Sequence, residues 1–148
     1  MKQSDWLLAF LYAPGDTGKF NEEVDELKLM KQMFILGDEI KASNYYSFIP
    51  SDSGPFSVEL YKNIKKLKAE GLVVKNLSKE KKCATIMLSS QGESVAKKIL
   101  EKLEENKKKK IVEIKKKFNN SSYHSLLTYI YARHPEFAEV LSHSILQL

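Results

Sequence analysis

Residues 51–94 read SDSGPFSVELYKNIKKLKAEGLVVKNLSKEKKCATIMLSSQGES, and their pattern decides the fold. Leu60, Ile64 and Leu67 recur at the spacing of one helix face, which predicts a helix over residues 55–70. Pro55 suits its first position, where a missing N–H costs nothing, and Phe56 lies below the stripe. Gly71 is the expected C-cap, because a left-handed residue is cheap only for glycine. Leu72-Val73-Val74 and Ala84-Thr85-Ile86-Met87-Leu88 are β-prone runs on either side of a lysine-rich tip over residues 76–82. Ser90-Gln91-Gly92-Glu93 has the spacing of a capping box and opens a further helix. A basic helix, a two-stranded hairpin and a new helix in so short a span is the signature of a winged helix. Such a module most often reads DNA, although some bind only proteins.

The flanks extend this core with helices. Trp6, Leu7, Leu8, Phe10 and Leu11 predict a helix over residues 4–13 that is apolar around most of its circumference and hence buried. Pro14-Gly15 ends it. Residues 23–41 are helical again, with Val24, Leu27, Met30 and Phe34 on one side and Leu29, Met33, Leu36 and Ile40 forming a second stripe. A helix with two stripes packs on two neighbours; Gly37 weakens its continuity. Tyr45-Tyr46-Ser47-Phe48-Ile49-Pro50 reads as extended, and Ser51-Asp52-Ser53-Gly54 as a turn.

Beyond the hairpin, Val95, Ile99 and Leu103 form one stripe, and Ile111, Ile114 and Phe118 another only roughly in phase with it. Asn106 and lysines 107–110 lie between them. Either one helix runs over residues 90–118 with a solvated middle, or two helices meet at a polar joint; the pattern favours one. Residues 119–122 are a break and a cap, and residues 123–133 are helical through Leu126, Leu127, Ile130 and Tyr131. Pro135 opens a last helix with Phe137, Val140, Leu141, Ile145 and Leu146. The expected fold is mainly α with a small antiparallel β-hairpin, a winged helix-turn-helix with extra C-terminal helices. Residues 1–90 form the core, with the wing hairpin at about 72–88. Residues 91–148 form a helical extension of the same compact domain and a candidate dimerisation element.

A chain of 148 residues is one domain by length, with room for a substantial core. Its 43% apolar and 29% charged residues place it among soluble globular proteins. No apolar run approaches the roughly 18 residues that a membrane span needs. The N-terminal MKQSDWLLAFLYAPG invites comparison with a signal peptide, but Asp5, Trp6 and the lack of a small-residue cleavage site favour a buried helix. Cys83 is the one cysteine, which excludes an internal disulfide, and it falls in an apolar strand pattern. A cytoplasmic protein is expected.

Charge divides the chain. Residues 1–60 hold 5 Lys against 10 Asp and Glu, a net of −5, whereas residues 61–148 hold 18 Lys and Arg133 against 9 acids, a net of +10. A basic half suggests a polyanionic partner, most simply double-stranded DNA. With 23 Lys and a single Arg, solvated lysine faces on long helices are the plainer alternative.

Helix phase selects the candidate DNA contacts. With Leu60, Ile64 and Leu67 facing in, the outward stripe is Glu59, Lys62, Asn63 and Lys66, edged by Lys65 and Lys68. In a major groove the lysines would meet phosphate or guanine, and Asn63 has the donor and acceptor for adenine. Lys79, Lys81 and Lys82 on the hairpin tip would lie along the backbone, where positive charge releases counterions. Tyr45, Tyr46 and Phe48 are a candidate partner surface, with core packing as the alternative. Catalysis finds no support: His124, His134 and His143 lack metal-ligand spacing, and neither a phosphate-binding loop nor a nucleophile motif is present. No metal and no cofactor is expected.

Several of these stretches resemble the YwgA-like and SocA antitoxin-like (Panacea) winged-helix group. Tyr45-Tyr46-Ser47-Phe48 through Ser53-Gly54-Pro55-Phe56-Ser57-Val58-Glu59-Leu60 is similar to its Y-x-F and GPFS-x-x-L stretch, though Ser53 stands where the group has Tyr. Leu88-Ser89-Ser90-Gln91-Gly92 resembles its Leu-Thr-x-x-Gly, and His134-Pro135-Glu136-Phe137-Ala138 its Tyr-Pro-Glu-Tyr-Ala. The resemblance implies a winged-helix fold and no catalytic residues. It implies two kinds of role, a transcription regulator or an antitoxin or adaptor that holds a toxin or delivers it to a protease. The expected function is therefore a DNA-binding regulator acting as a homodimer, with a protein-interaction module as the alternative.

Overall fold

The computed structural model describes residues 1–77 and 84–138. Its first helix, α1 (Gln3–Tyr12), starts where the Lys2 N–H donates to Asp5 Oδ2 at 2.9 Å. Trp6 through Leu11 are all buried, because α4 (Ser90–Lys102) and α5 (Glu105–Phe118) both pack along α1. A two-residue strand, β1 (Val24–Asp25), follows the loop and pairs antiparallel with β5 (Thr85–Leu88), Val24 opposite Ile86. Asp25 then caps α2 (Glu26–Ile40) by accepting from the N–H groups of Leu27 and Lys28. The helix therefore starts three residues later than its periodicity predicts. Leu29, Met33 and Leu36 are buried against α5 and α6 (Tyr123–Arg133), the two expected neighbours, but Leu27 of the first stripe is exposed.

The turn before the basic helix is more ordered than expected. β2 (Ile49–Ser51) and β3 (Gly54–Phe56) form a small hairpin, Ser51 opposite Gly54. Pro50 faces Pro55 in it, a pair with no N–H to offer. Pro55 thus lies in a strand and not at a helix start. The cap is Ser57, whose buried Oγ accepts from the Leu60 N–H at 3.1 Å and opens α3 (Val58–Ala69). Leu60, Ile64 and Leu67 face the core as their spacing predicts. Glu70 and then Gly71, at a φ of 78°, end the helix.

β4 (Val73–Asn76) pairs with β5 from Val73 opposite Leu88 to Asn76 opposite Thr85, so the sheet order is β1-β5-β4. Residues 78–83, which hold Lys79, Lys81, Lys82 and Cys83, lie outside the described residues. α4 is capped by Ser89, one residue before the predicted Ser90, and the Ser89 Oγ accepts from the Gly92 N–H at 3.1 Å. Glu93 is thereby free of the expected capping box and accepts from Asn21 Nδ2 at 2.8 Å.

The single helix favoured over residues 90–118 is two. Leu103 is extended (φ −73°, ψ 148°) and Glu104 leads into α5. The break falls at Leu103 and not in the lysine run because Leu103 is buried there. The chain then redirects, so that Ile111, Ile114 and Phe118 reach the core as well. α6 spans the predicted residues and is followed by a 3₁₀ turn, Pro135–Phe137. The rest of the expected last helix, with Val140, Leu141, Ile145 and Leu146, lies outside the described residues. No described helix is long and apolar enough to cross a membrane.

Candidate nucleic-acid interface

α3 presents its basic face because its apolar face is pinned. Leu60 is fully buried, Ile64 and Leu67 nearly so; Lys62 and Lys66 emerge on the opposite side, with Lys65 and Lys68 exposed at its edges. Lys65 Nζ stands 4.6 Å from the centroid of the Tyr61 ring, itself exposed, which tethers one of these cations by a cation–π contact. Beside the helix, Lys75 of β4 pairs with Glu26 at 3.0 Å.

Two residues of the predicted outward stripe turn back to the protein. Glu59 accepts from Gln3 Nε2 at 2.8 Å and from the Ser47 N–H at 2.7 Å. The Gln3 bond, followed by that of Ser47, holds its carboxyl below the usual range, so its charge is tied to the α1 side and not displayed among the lysines. Asn63 Nδ2 donates to the Tyr46 hydroxyl at 2.9 Å, so a bidentate contact with adenine first requires breaking that bond.

The aromatic run faces inward. Tyr46 is buried, Tyr45 donates its hydroxyl to the Met33 carbonyl at 2.6 Å, and Phe48 meets Phe34 edge-on at 5.3 Å. Burial pushes the pKa of both tyrosines up, Tyr45 well above its ordinary value. What remains open is a cleft of about 390 Å³ lined by Tyr45, Tyr46, Phe48, Phe34, Asp38 and His134, among others.

The lysine run of α5 is not a free polycation. Lys107 stands 5.7 Å from the Trp6 ring centroid, Lys108 pairs with Glu105 at 3.1 Å, and Lys110 donates to the Glu39 carbonyl at 3.0 Å. Two further lysines are buried. Lys115 is fully buried and donates to the Leu11 carbonyl at 2.6 Å, and Lys31 is 3% exposed. Sequence reasoning missed both, although phase marked them. Lys115 falls within the stripe of Ile111, Ile114 and Phe118, and Lys31 follows Met30 between the two stripes of α2.

His134 lies at the mouth of the aromatic cleft between two carboxylates, 3.0 Å from Asp38 Oδ2 and 3.3 Å from Glu136 Oε1. The hydrogen bond that the protonated ring donates to Asp38 is the main cause that raises its pKa, with Glu136 adding to it. Asp38→Asn is expected to move the His134 titration, followed by NMR, back toward its ordinary value. A histidine pKa raised on folding adds stability that is complete below about pH 6.5 and is lost as pH rises through the raised value. The variant should therefore lose more stability relative to wild type at pH 5.5 than at pH 8.5; an unmoved titration would assign the shift to other groups. Among the described residues no cluster of three or more His, Cys, Asp or Glu is placed to hold a metal ion.

The chain matches no protein-family model and none of the curated proteins.

Proposed function

We propose that this chain is a DNA-binding transcriptional regulator of the winged-helix type, with α3 in the major groove and the hairpin tip on the backbone. The element order supports the fold reading: three helices precede a hairpin whose second strand also pairs with β1, ahead of α2. The likeness of its motifs to the Panacea group points the same way. One observation carries the functional reading. Lys62, Lys65, Lys66 and Lys68 are all exposed on one helix, while the acid in its first turn, Glu59, is bonded to Gln3 of α1 and to the Ser47 N–H. Asn63 is assigned to support, since its amide holds Tyr46. The single Arg, Arg133, stacks on Tyr129 at 4.3 Å, so the contacts would be made by lysines, as point charges on phosphate more than as readers of guanine.

The test is fluorescence anisotropy of the protein on its own upstream duplex and on an unrelated duplex of equal length, at two salt concentrations. Preference for its own duplex, weakening steeply with salt, is the expected result. Substituting Lys62, Lys65 and Lys66 together by Ala should cut affinity by roughly 10- to 100-fold and reduce the salt slope by about 3. Unchanged affinity and slope would remove this face from the DNA surface.

A second reading, a protein-interaction module of antitoxin or adaptor type, is favoured by one feature. Val58 and Tyr61 are exposed apolar side chains on the same helix as the lysines, and Leu27 on α2 is exposed as well. Absence of DNA binding at low salt, with co-purification of a stoichiometric protein partner, would select it.

A further inference from the structure

Two cavities beside α3 adjoin to form one groove. The first, of about 180 Å³, is walled by Leu27, Met30, Phe56, Tyr61 and Ile64. The second, of about 120 Å³, shares Tyr61, Ile64 and Glu26 with it and adds Lys65, Lys68 and Lys75. Helix phase and β4 together make this basic end. Tyr61, Lys65 and Lys68 recur at i, i+4 and i+7 on one face of α3, to the side of the outermost pair Lys62 and Lys66, and β4 brings Lys75 to the same cavity. Lys75 holds Glu26 at 3.0 Å, and Lys65 rests on the Tyr61 ring. Among the described residues the groove is thus apolar at one end and carries a net charge of +2 at the other, three lysines against one acid. Its rim is open, since Leu27 is 52% exposed and Tyr61 43%. An exposed apolar patch bordered by charged residues is the usual form of a protein-binding surface.

We infer that this groove docks an acidic–apolar segment of a partner protein, with one apolar side chain against Leu27, Met30 and Phe56 and its carboxylates on Lys65, Lys68 and Lys75. Charge complementarity selects this occupant. A nucleic-acid backbone would satisfy the lysines but leave the apolar end uncovered, and Glu26 would oppose its phosphates. A wholly apolar segment would desolvate the lysines without pairing them. Tyr61 and Lys68 are seven residues apart, about 10 Å along the helix, which an extended chain covers in about three residues. The expected motif is therefore an apolar residue with Asp or Glu about three or four positions away. The groove stands whether or not α3 contacts DNA, and its test contains no DNA.

A phage-displayed library of random octapeptides, selected on the whole protein, is the probe. Enrichment of that motif is expected, with the consensus peptide binding one-to-one by fluorescence anisotropy. Lys68→Glu should weaken it by about tenfold or more, and Leu27→Ser by roughly fivefold. Both positions are exposed, so neither change puts the fold at risk. No enrichment, or a consensus peptide that binds either variant as tightly as wild type, would overturn the site. A consensus rich in acids but without the apolar residue would overturn it too, and reduce the groove to generic attraction of polyanions. Loss of a wild-type dimer in either variant, read by sedimentation, would assign the groove to a second copy of this chain instead.

Discussion

Gly92→Ala is expected to lower the melting temperature by on the order of 10 °C, a loss of roughly 2–3 kcal/mol. Gly92 sits in the first turn of α4, where the helix crosses the start of β4. A Cβ there would overlap the Leu72 carbonyl oxygen and stand 3.0 Å from the Leu72 carbonyl carbon. That oxygen cannot swing aside cheaply, because it accepts from the Ser89 N–H at 3.0 Å, next to the Val73–Leu88 rung of the sheet. Relief requires moving either the helix or the hairpin edge. Alanine's better helix propensity offsets only about 1 kcal/mol of this. Circular dichroism against temperature measures the outcome. A variant as stable as wild type would mean that α4 slides freely over Leu72.

The same site shows why part of the chain could be read in advance. Leu88-Ser89-Ser90-Gln91-Gly92 carries two local demands: a cap, which residue type marks to within one position (Ser90 expected, Ser89 observed), and a bare backbone at Gly92, which sequence reasoning missed. In the GPFS stretch only the turn at Gly54 was readable, where the structure has a φ of 93° under Leu127; the strand at Pro55 and Phe56 and the Ser57 cap of α3 emerge from the structure. These are requirements of folding, so motifs of this kind speak to architecture more than to activity. α3 was legible because three apolar residues at helical spacing fix its phase, and phase alone places Lys62, Lys65 and Lys66 outside.

Elements set by distant partners were not legible. β1 has two residues, too few to show a period, and exists because Val24 and Asp25 pair with Ile86 and Thr85. Pro55 is as good a helix opener as a strand residue on local grounds, and only the hairpin partner at Pro50 decides. The break at Leu103 is likewise tertiary, since burial of one leucine outweighs the continuity of a helical run. At the candidate site, Asn63 and Glu59 have the right phase for the outer face, but their partners, Tyr46 and Gln3, come from segments remote in sequence.

The buried lysines are the sharpest case, since lysine is almost always a surface residue and composition counts each as a solvated charge. Lys115 tests how much that assumption hides. Burial is the main cause pulling its pKa from 10.5 to about 7, against a smaller upward pull from Glu22. The sign follows from proton counts. Between about pH 7 and 10.5 the unfolded chain binds the proton and the folded chain does not, so this group costs stability at low pH and the cost fades as pH rises. At pH 7 the cost is on the order of 4 kcal/mol. Lys115→Met removes it and keeps a side chain of similar volume, but leaves the Leu11 carbonyl without its donor, a loss of about 1–3 kcal/mol. The variant should thus be more stable than wild type by on the order of 1–3 kcal/mol at pH 7. The advantage should vanish or reverse by about pH 10, where wild-type Lys115 is neutral and still bonded. Tyrosines and Lys31 titrate equally in both proteins, so the difference isolates this one group. Urea denaturation of the pair at pH 7 and pH 10 measures it, and a pH-independent difference would show that Lys115 keeps its proton in the core.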